Sequence, residues 1–207
     1  MFKIINSLLR KCFKPAYKLL EFPRVYSFIQ NFGSVHIYSE LISENIYLKA
    51  NSKVLDLGCG TGSFREYFCK DYYGIDINSK YIVHAQSKYN GHFEVMDCTN
   101  LKYEDSLFDH VVIIATLHHL DDDQVNKTVM EGLRVCNNGG FLHIIDPILP
   151  EYKLSLFKLC WFLLDRGKFQ RSFYEISVLI KENGKIFKNI KTSSYFHDVT
   201  YLRIGKK

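Results

Sequence analysis

The chain has 207 residues, 47% hydrophobic and 24% charged. That is enough for one α/β domain with a sizeable core and short for two, in the composition range of an ordinary globular protein. The net charge of +5 sits in residues 1–20, where Lys3, Arg10, Lys11, Lys14 and Lys18 face no acid, while the remaining 22 basic and 22 acidic residues balance. A nucleic-acid partner needs a basic face over the body of the fold and is not expected here. Six cysteines without a C-x-x-C pair or a neighbouring histidine at ligand spacing argue for a reducing, cytoplasmic setting and against a metal.

The first twenty residues place Phe2, Ile5, Leu8, Leu9, Cys12, Phe13, Ala16 and Leu20 at helical spacing with basic residues opposite. They lack the continuous apolar run of a signal peptide and are too polar to span a bilayer. Two arrangements suit such a helix: a cap packed on the domain, or peripheral contact with an anionic membrane surface. Pro15 divides it unless a second segment starts there. Residues 1–48 are expected to be an N-terminal helical cap segment, and 49–207 the main domain.

Beyond them, short apolar runs alternate with helical patterns. Strands are predicted at Lys53–Leu57, Tyr72–Ile77, His92–Met96, His110–Ala115 and Gly140–Ile145, with helices at Ser63–Lys70, Ser79–Lys88 and Asp122–Arg134. Alternation of this kind predicts a parallel sheet covered on both faces. The tail changes rhythm, with helices near Glu151–Leu164 and Phe173–Glu182 and then strands Lys185–Thr192 and Asp198–Gly205 close enough to pair antiparallel. The apolar run Leu154–Leu164 has only eleven residues, about half a transmembrane helix.

The stretch Val54–Gly62, VLDLGCGTG, turns the chain out of the first strand on glycines that let a ligand touch the backbone. Its spacing is G-x-G-x-G and not the G-x-G-x-x-G of a pyrophosphate site. Asp56, two residues before Gly58, would repel a diphosphate but suits an ammonium group. Asp76 closes the second strand, where a carboxylate accepts ribose hydroxyls. Asp97 follows the third, placed for the amine of an adenine. Together they match a nucleoside that carries an amine and no pyrophosphate.

These motifs closely resemble the class I S-adenosylmethionine-dependent methyltransferases. VLDLGCGTG is similar to the family's glycine motif, YYGIDI to its ribose motif and VMDC to its adenine motif. FDHVV with ATLHHL resembles the fourth strand and its exit, and NGGFL the turn into the fifth. The resemblance spans residues 50–150. It implies a Rossmann-like, doubly wound, mostly parallel seven-stranded sheet ordered 3-2-1-4-5-7-6, with the last strand antiparallel, and S-adenosyl-L-methionine as cofactor. It also implies cofactor contacts from Asp56, Gly58, Cys59, Gly60, Gly62, Asp76, Ile77, Asp97, Cys98 and Ala115.

Methyl transfer needs alignment and dryness, and a base where the acceptor holds its proton. His118 and His119 follow the fourth strand beside Asp121 and are the candidate catalytic residues. The preceding Ile114, Ala115, Thr116 and Leu117 offer no acid for a metal. Asp146, ending the fifth strand, is placed to orient a substrate. Tyr26, Gln30 and Gly33, with Asp165-Arg166-Gly167 and Arg171, resemble the V-Y-x-x-x-Q-x-x-x-G and D-R-G-x-x-x-R segments of a bacterial subgroup. They make Tyr26, Gln30, Arg166 and Arg171 candidates for holding the acceptor, with helix capping or a salt bridge as the other role for one arginine. The expected activity is methylation of a small molecule of lipid, isoprenoid or sugar-like type. An NAD(P)-dependent oxidoreductase and a non-catalytic nucleoside-binding module are the rival readings.

Overall fold

The computed structural model describes residues 35–68, 71–150, 158, 167–194 and 197–207. Seven strands form one sheet: β1 (Val54–Leu57), β2 (Tyr72–Asp76), β3 (His92–Val95), β4 (Phe108–Ile114), β5 (Cys136–Ile148), β6 (Lys185–Ser193) and β7 (Asp198–Gly205). Their order is β3-β2-β1-β4-β5-β7-β6. The first five run parallel, and β7 lies antiparallel to both β5 and β6. This is the architecture the motifs imply, with the antiparallel pair where the tail changes rhythm.

Among the described residues four helices cover the sheet: α1 (Val35–Asn45), α2 (Ser79–Lys88), α3 (Asp122–Val135) and α4 (Phe173–Asn183). In the central strands β1 and β4 residues of both faces are largely buried, so these strands read as mostly apolar runs, while the edge strands β3 and β6 stay largely exposed. On one face Leu55, Leu57, Val111, Ile113, Leu142 and Ile144 pack with Val125, Val129 and Leu133 of α3 and Ile176 and Ile180 of α4. On the other, Val54, Val112, Ile114, Ile145 and Tyr201 meet Tyr38, Leu41 and Ile42 of α1 and Ile82 and Ala85 of α2. α3 and α4 each start on a reciprocal cap, Asp121 with Gln124 and Ser172 with Glu175, which satisfies backbone groups that a helix start leaves open.

Two elements depart from the sequence reading. In place of a helix over Ser63–Lys70 the described residues hold one 3-10 turn, Arg65–Tyr67. Only nine residues separate Gly62 from Tyr72, and the chain must travel back along β1 before β2 begins. Extended residues cover that distance at about 3.3 Å each, helical ones at about 1.5 Å. Phe64 and Phe68 still reach the core. β5 also begins at Cys136 rather than Gly140, directly after α3, and its register on β4 shifts between the pairs Phe108–Cys136 and His110–Phe141. Asp109 holds this irregular start by accepting from the Lys53 N–H (2.8 Å) and the Asn137 amide (2.6 Å).

A polar seam crosses the second face. His110 Nδ1 lies 3.1 Å from His143 Nε2, His143 Nδ1 lies 2.9 Å from the Tyr201 hydroxyl, and that hydroxyl donates to the Asn45 carbonyl at the end of α1 (3.2 Å). Burial, with His110 and Arg203 nearby, lowers the His143 pKa to about 3. Residues 1–34 and the helix expected at Glu151–Leu164, apart from Lys158, lie outside the described residues, as do the candidates Tyr26, Gln30 and Arg166. Among the described residues no helix is long and apolar enough to cross a membrane.

Candidate active site

The described cofactor and histidine candidates lie at the carboxyl ends of β1, β2, β3, β4 and β5. At the tip of β1 the Gly58 and Cys59 N–H groups both donate to the Ile75 carbonyl (2.8 and 2.9 Å), folding the glycine loop across the end of β2. Gly58, Gly60 and Gly62 all have positive φ, at 82°, 57° and 77°. Gly58 also has no room for a side chain, since a Cβ there would stand 2.5 Å from Thr116 Oγ1. Gly58→Ala is therefore expected to cost about 2–4 kcal/mol, roughly 5–15 °C in Tm. An unchanged melting temperature would contradict the contact between the two loops.

Asp76 accepts from the Gly60 N–H at Oδ2 (3.0 Å) and from the Asn78 N–H at Oδ1 (2.7 Å), fixing the loop to the start of α2. A carboxylate offers about four acceptor sites in all, the chemistry that ribose hydroxyls need. Asp97 Oδ1 takes the N–H and hydroxyl of Thr99, both at 2.8 Å, and its Oδ2 is open. Between these acids Ile77 stands 74% exposed at the tip of β2, an apolar surface on which a flat base can lie.

Asp56 is the unusual member. It is fully buried; its Oδ2 accepts from the Tyr72 hydroxyl (2.7 Å), and its Oδ1 has no partner. Burial raises its pKa to about 7, against the Tyr72 hydrogen bond and with a smaller push from Asp76. A buried carboxyl with an unused oxygen is costly, and a cationic donor entering the site would relieve it.

Two cysteines offer backbone rather than side chain. Cys59 Sγ fills the space beside Gly74, and Cys98 Sγ accepts from the Thr128 hydroxyl on α3 (3.4 Å), with burial pushing its thiol pKa up. Ala115, at φ 51°, bends the chain sharply as it leaves β4, a conformation uncommon outside glycine. The bend carries Thr116 onto Gly58 and sends His118 toward β5.

There His118 Nδ1 lies 3.1 Å from Asp146 Oδ1, which also accepts from the Leu117 N–H (3.1 Å). Histidine and aspartate are 4% and 2% exposed. The His119 ring, partly exposed, sits against His118 with centroids 4.1 Å apart. Asp146 is thus committed to the histidine loop, and any effect on substrate passes through His118. Arg171 differs from the acceptor-binding role considered for it. All five of its N–H donors are taken, by the carbonyls of Leu117, Leu120 and Phe169 and by Asp122 Oδ1, so the salt-bridge role is the one it fills. Tyr72 and Thr116 were not singled out in the sequence. The signal for Tyr72 was its place two residues before Gly74, whose cross-strand partner is Asp56.

Residues 54–140, from the start of β1 into the first residues of β5, match the methyltransferase domain family. These residues are similar to a methyltransferase domain, and the sheet order around them is that of the Rossmann-like class I S-adenosylmethionine-dependent methyltransferase fold.

The chain's relatives agree. Phosphoethanolamine N-methyltransferase 1 of Zea mays is 36% identical over 88 residues, 38% of this chain and 18% of that protein. Phosphoethanolamine N-methyltransferase of Plasmodium falciparum is 31% identical over 142 residues, 62% of this chain and 53% of that one. This chain therefore spans about a fifth to a half of the curated relatives it matches. A solved SAM-dependent methyltransferase of Methanosarcina mazei shares the fold at a TM-score of 0.64 and 21% identity, covering 80% of this chain and 96% of its own. Family and fold imply S-adenosylmethionine as the methyltransferase domain's cofactor. The described residues fit it: the orphaned buried oxygen of Asp56 for an ammonium, and the carboxylates of Asp76 and Asp97 at the neighbouring strand ends for hydroxyls and an amine.

Proposed function

We propose that the chain transfers a methyl group from S-adenosylmethionine to a small-molecule acceptor, with His118 taking the acceptor's proton. The cofactor supplies an electrophilic methyl on a positively charged sulfur. Asp56 receives the ammonium group, Asp76 the ribose hydroxyls and Asp97 the adenine amine, while the glycine loop lets the nucleoside approach the backbone. The observation that carries the reading is the buried His118–Asp146 pair, set at the exit of β4 beside the acids that grip the cofactor. A carboxylate only accepts, so His118 Nδ1 donates to it and the basic lone pair is on Nε2. That is the arrangement of a base held in one tautomer. The names of several relatives specify nitrogen acceptors, phosphoethanolamine in the maize and Plasmodium proteins and norajmaline in a Rauvolfia serpentina enzyme, while one from Arabidopsis thaliana is named for an oxygen of a tRNA uridine. An amine held as an ammonium needs such a base before it can attack. A labelled-methyl screen therefore includes small amines beside lipid, isoprenoid and sugar-like compounds.

The cofactor half of the proposal is tested by calorimetry with S-adenosylhomocysteine, the reaction's product. Hydrogen bonds to a charged group contribute about 1.5–3 kcal/mol, so Asp76→Ala and Asp56→Ala are each expected to weaken binding about 10- to 100-fold. Undiminished affinity in both variants, or tight NADH binding without the nucleoside, would overturn the reading.

A further inference from the structure

We propose that the segment from Gly167 to Arg171 is the positioning element of the His118 ring, Gly167 by packing on it and Arg171 by clamping the loop that bears it. The inference rests on the reading of His118 as the proton acceptor and assigns a role to the Gly-x-x-x-Arg spacing that the cofactor site leaves unexplained.

Arg171 is buried at 8% side-chain exposure, whereas its ion-pair partner Asp122 is 70% exposed. An ion pair with one partner in water contributes little by itself. What the guanidinium supplies is a planar fork. Its Nη1 donates to the carbonyls of Leu117 (3.1 Å) and Phe169 (3.0 Å), its Nη2 to Leu120 (2.8 Å) and Asp122 (2.6 Å), and its Nε to Asp122 (2.9 Å). The two peptide groups that flank the Leu117 Cα are consequently both held, the N–H on Asp146 and the C=O on Arg171. His118 follows immediately. Its own carbonyl accepts from the Phe169 N–H (2.9 Å), and the Arg171 carbonyl accepts from the Leu149 N–H just past β5 (2.8 Å). The clamp and Asp146 are therefore anchored to the same strand. A lysine has one nitrogen and cannot span three carbonyls in a plane.

Gly167 acts on the ring directly. A Cβ there would stand 2.0 Å from His118 Cδ2 and 3.0 Å from its Cγ. Nothing flexible is available to yield, because the ring is held by Asp146 on its other edge.

The test reads the ring before it reads turnover. In the full chain, the His118 Nδ1–H bonded to Asp146 is assigned in proton NMR as the imidazole signal lost in His118→Gln. Arg171→Lys and Gly167→Ala are each expected to shift or broaden that signal and to leave S-adenosylhomocysteine affinity within about threefold. Misplacement of the ring is expected to lower kcat about 10- to 100-fold with little change in acceptor KM, and to displace the pH profile of kcat. If Arg171→Lys does not fold, Gly167→Ala alone decides, since it touches the ring without opening the clamp. An unmoved Nδ1–H signal in folded Gly167→Ala and Arg171→Lys proteins overturns the inference. Full turnover in His118→Gln would instead remove the base reading while leaving the ring measurement standing.

Discussion

His118→Gln is expected to lower kcat about 10²- to 10⁴-fold with the acceptor that a labelled-methyl screen returns, while S-adenosylhomocysteine binds as before. The expectation follows from what surrounds the ring. The loop that carries it, Ile114 to Leu117, has no acid, so no other carboxylate of that loop can take the proton. Asp146 is engaged twice at Oδ1 and buried behind the ring, where it stabilises an imidazolium rather than meeting substrate. Asp146→Asn separates the two contributions. An amide oxygen in the same place still accepts from Leu117 and from Nδ1, so the loop keeps its shape, but the charge that favours imidazolium is gone. A neutral hydrogen bond is roughly half as strong as a charged one, and a loss of about 10- to 100-fold in kcat is expected, with Tm changed by a few degrees at most. Should His118→Gln turn over within about threefold of the parent, the pair is structural and alignment alone carries the transfer.

The parts of this protein that were legible in its sequence are those whose physics is local. Glycines with positive φ, an acid at each strand tip and the apolar runs of a doubly covered sheet are all set within a few residues, and the structure places Asp56, Asp76 and Asp97 at neighbouring strand ends. The partners were not legible, because they are made by the fold. Tyr72 meets Asp56 across 16 residues, Asp146 meets His118 across 28, and Arg171 reaches Asp122 across 49. Arg171 shows the consequence. As a residue type it is a ready anion holder, and only the three carbonyls collected around it reveal that no donor is left. The misread helix at Ser63–Lys70 has a different cause: the apolar spacing of Phe64 and Phe68 suits a helix, but the distance back to β2 does not.

The same two-sided burial that makes the site also puts two groups of opposite sign on one face of the sheet, and their titration is the second large effect. Asp56, with Tyr72, Cys59 and Asp76 around it, has its carboxyl raised from 3.8 to about 7. The folded state then holds the extra proton between those values, so stability falls as pH rises from about 4 to 7, by on the order of 4 kcal/mol. His143, between His110, Tyr201 and Arg203, is lowered from 6.5 to about 3. There the unfolded chain holds the extra proton, and stability falls as pH drops from about 6.5 to 3, again by on the order of 4 kcal/mol. The two contributions oppose each other over nearly the same window, and single variants are expected to unmask them. Asp56→Asn should gain stability steadily with pH in urea titrations between about pH 4 and 7, and His143→Phe should lose it. The amide left in Asp56→Asn has a buried donor without a partner, a cost of about 1–3 kcal/mol at every pH, so the slope is the quantity to compare. Saturating S-adenosylhomocysteine supplies an ammonium to the ionised Asp56 and should stabilise the parent more at pH 8 than at pH 5. Parallel stability curves for parent and both variants would mean that neither group is held as the fold describes, and the assignment of the Asp56 oxygen to the cofactor's ammonium would go with them.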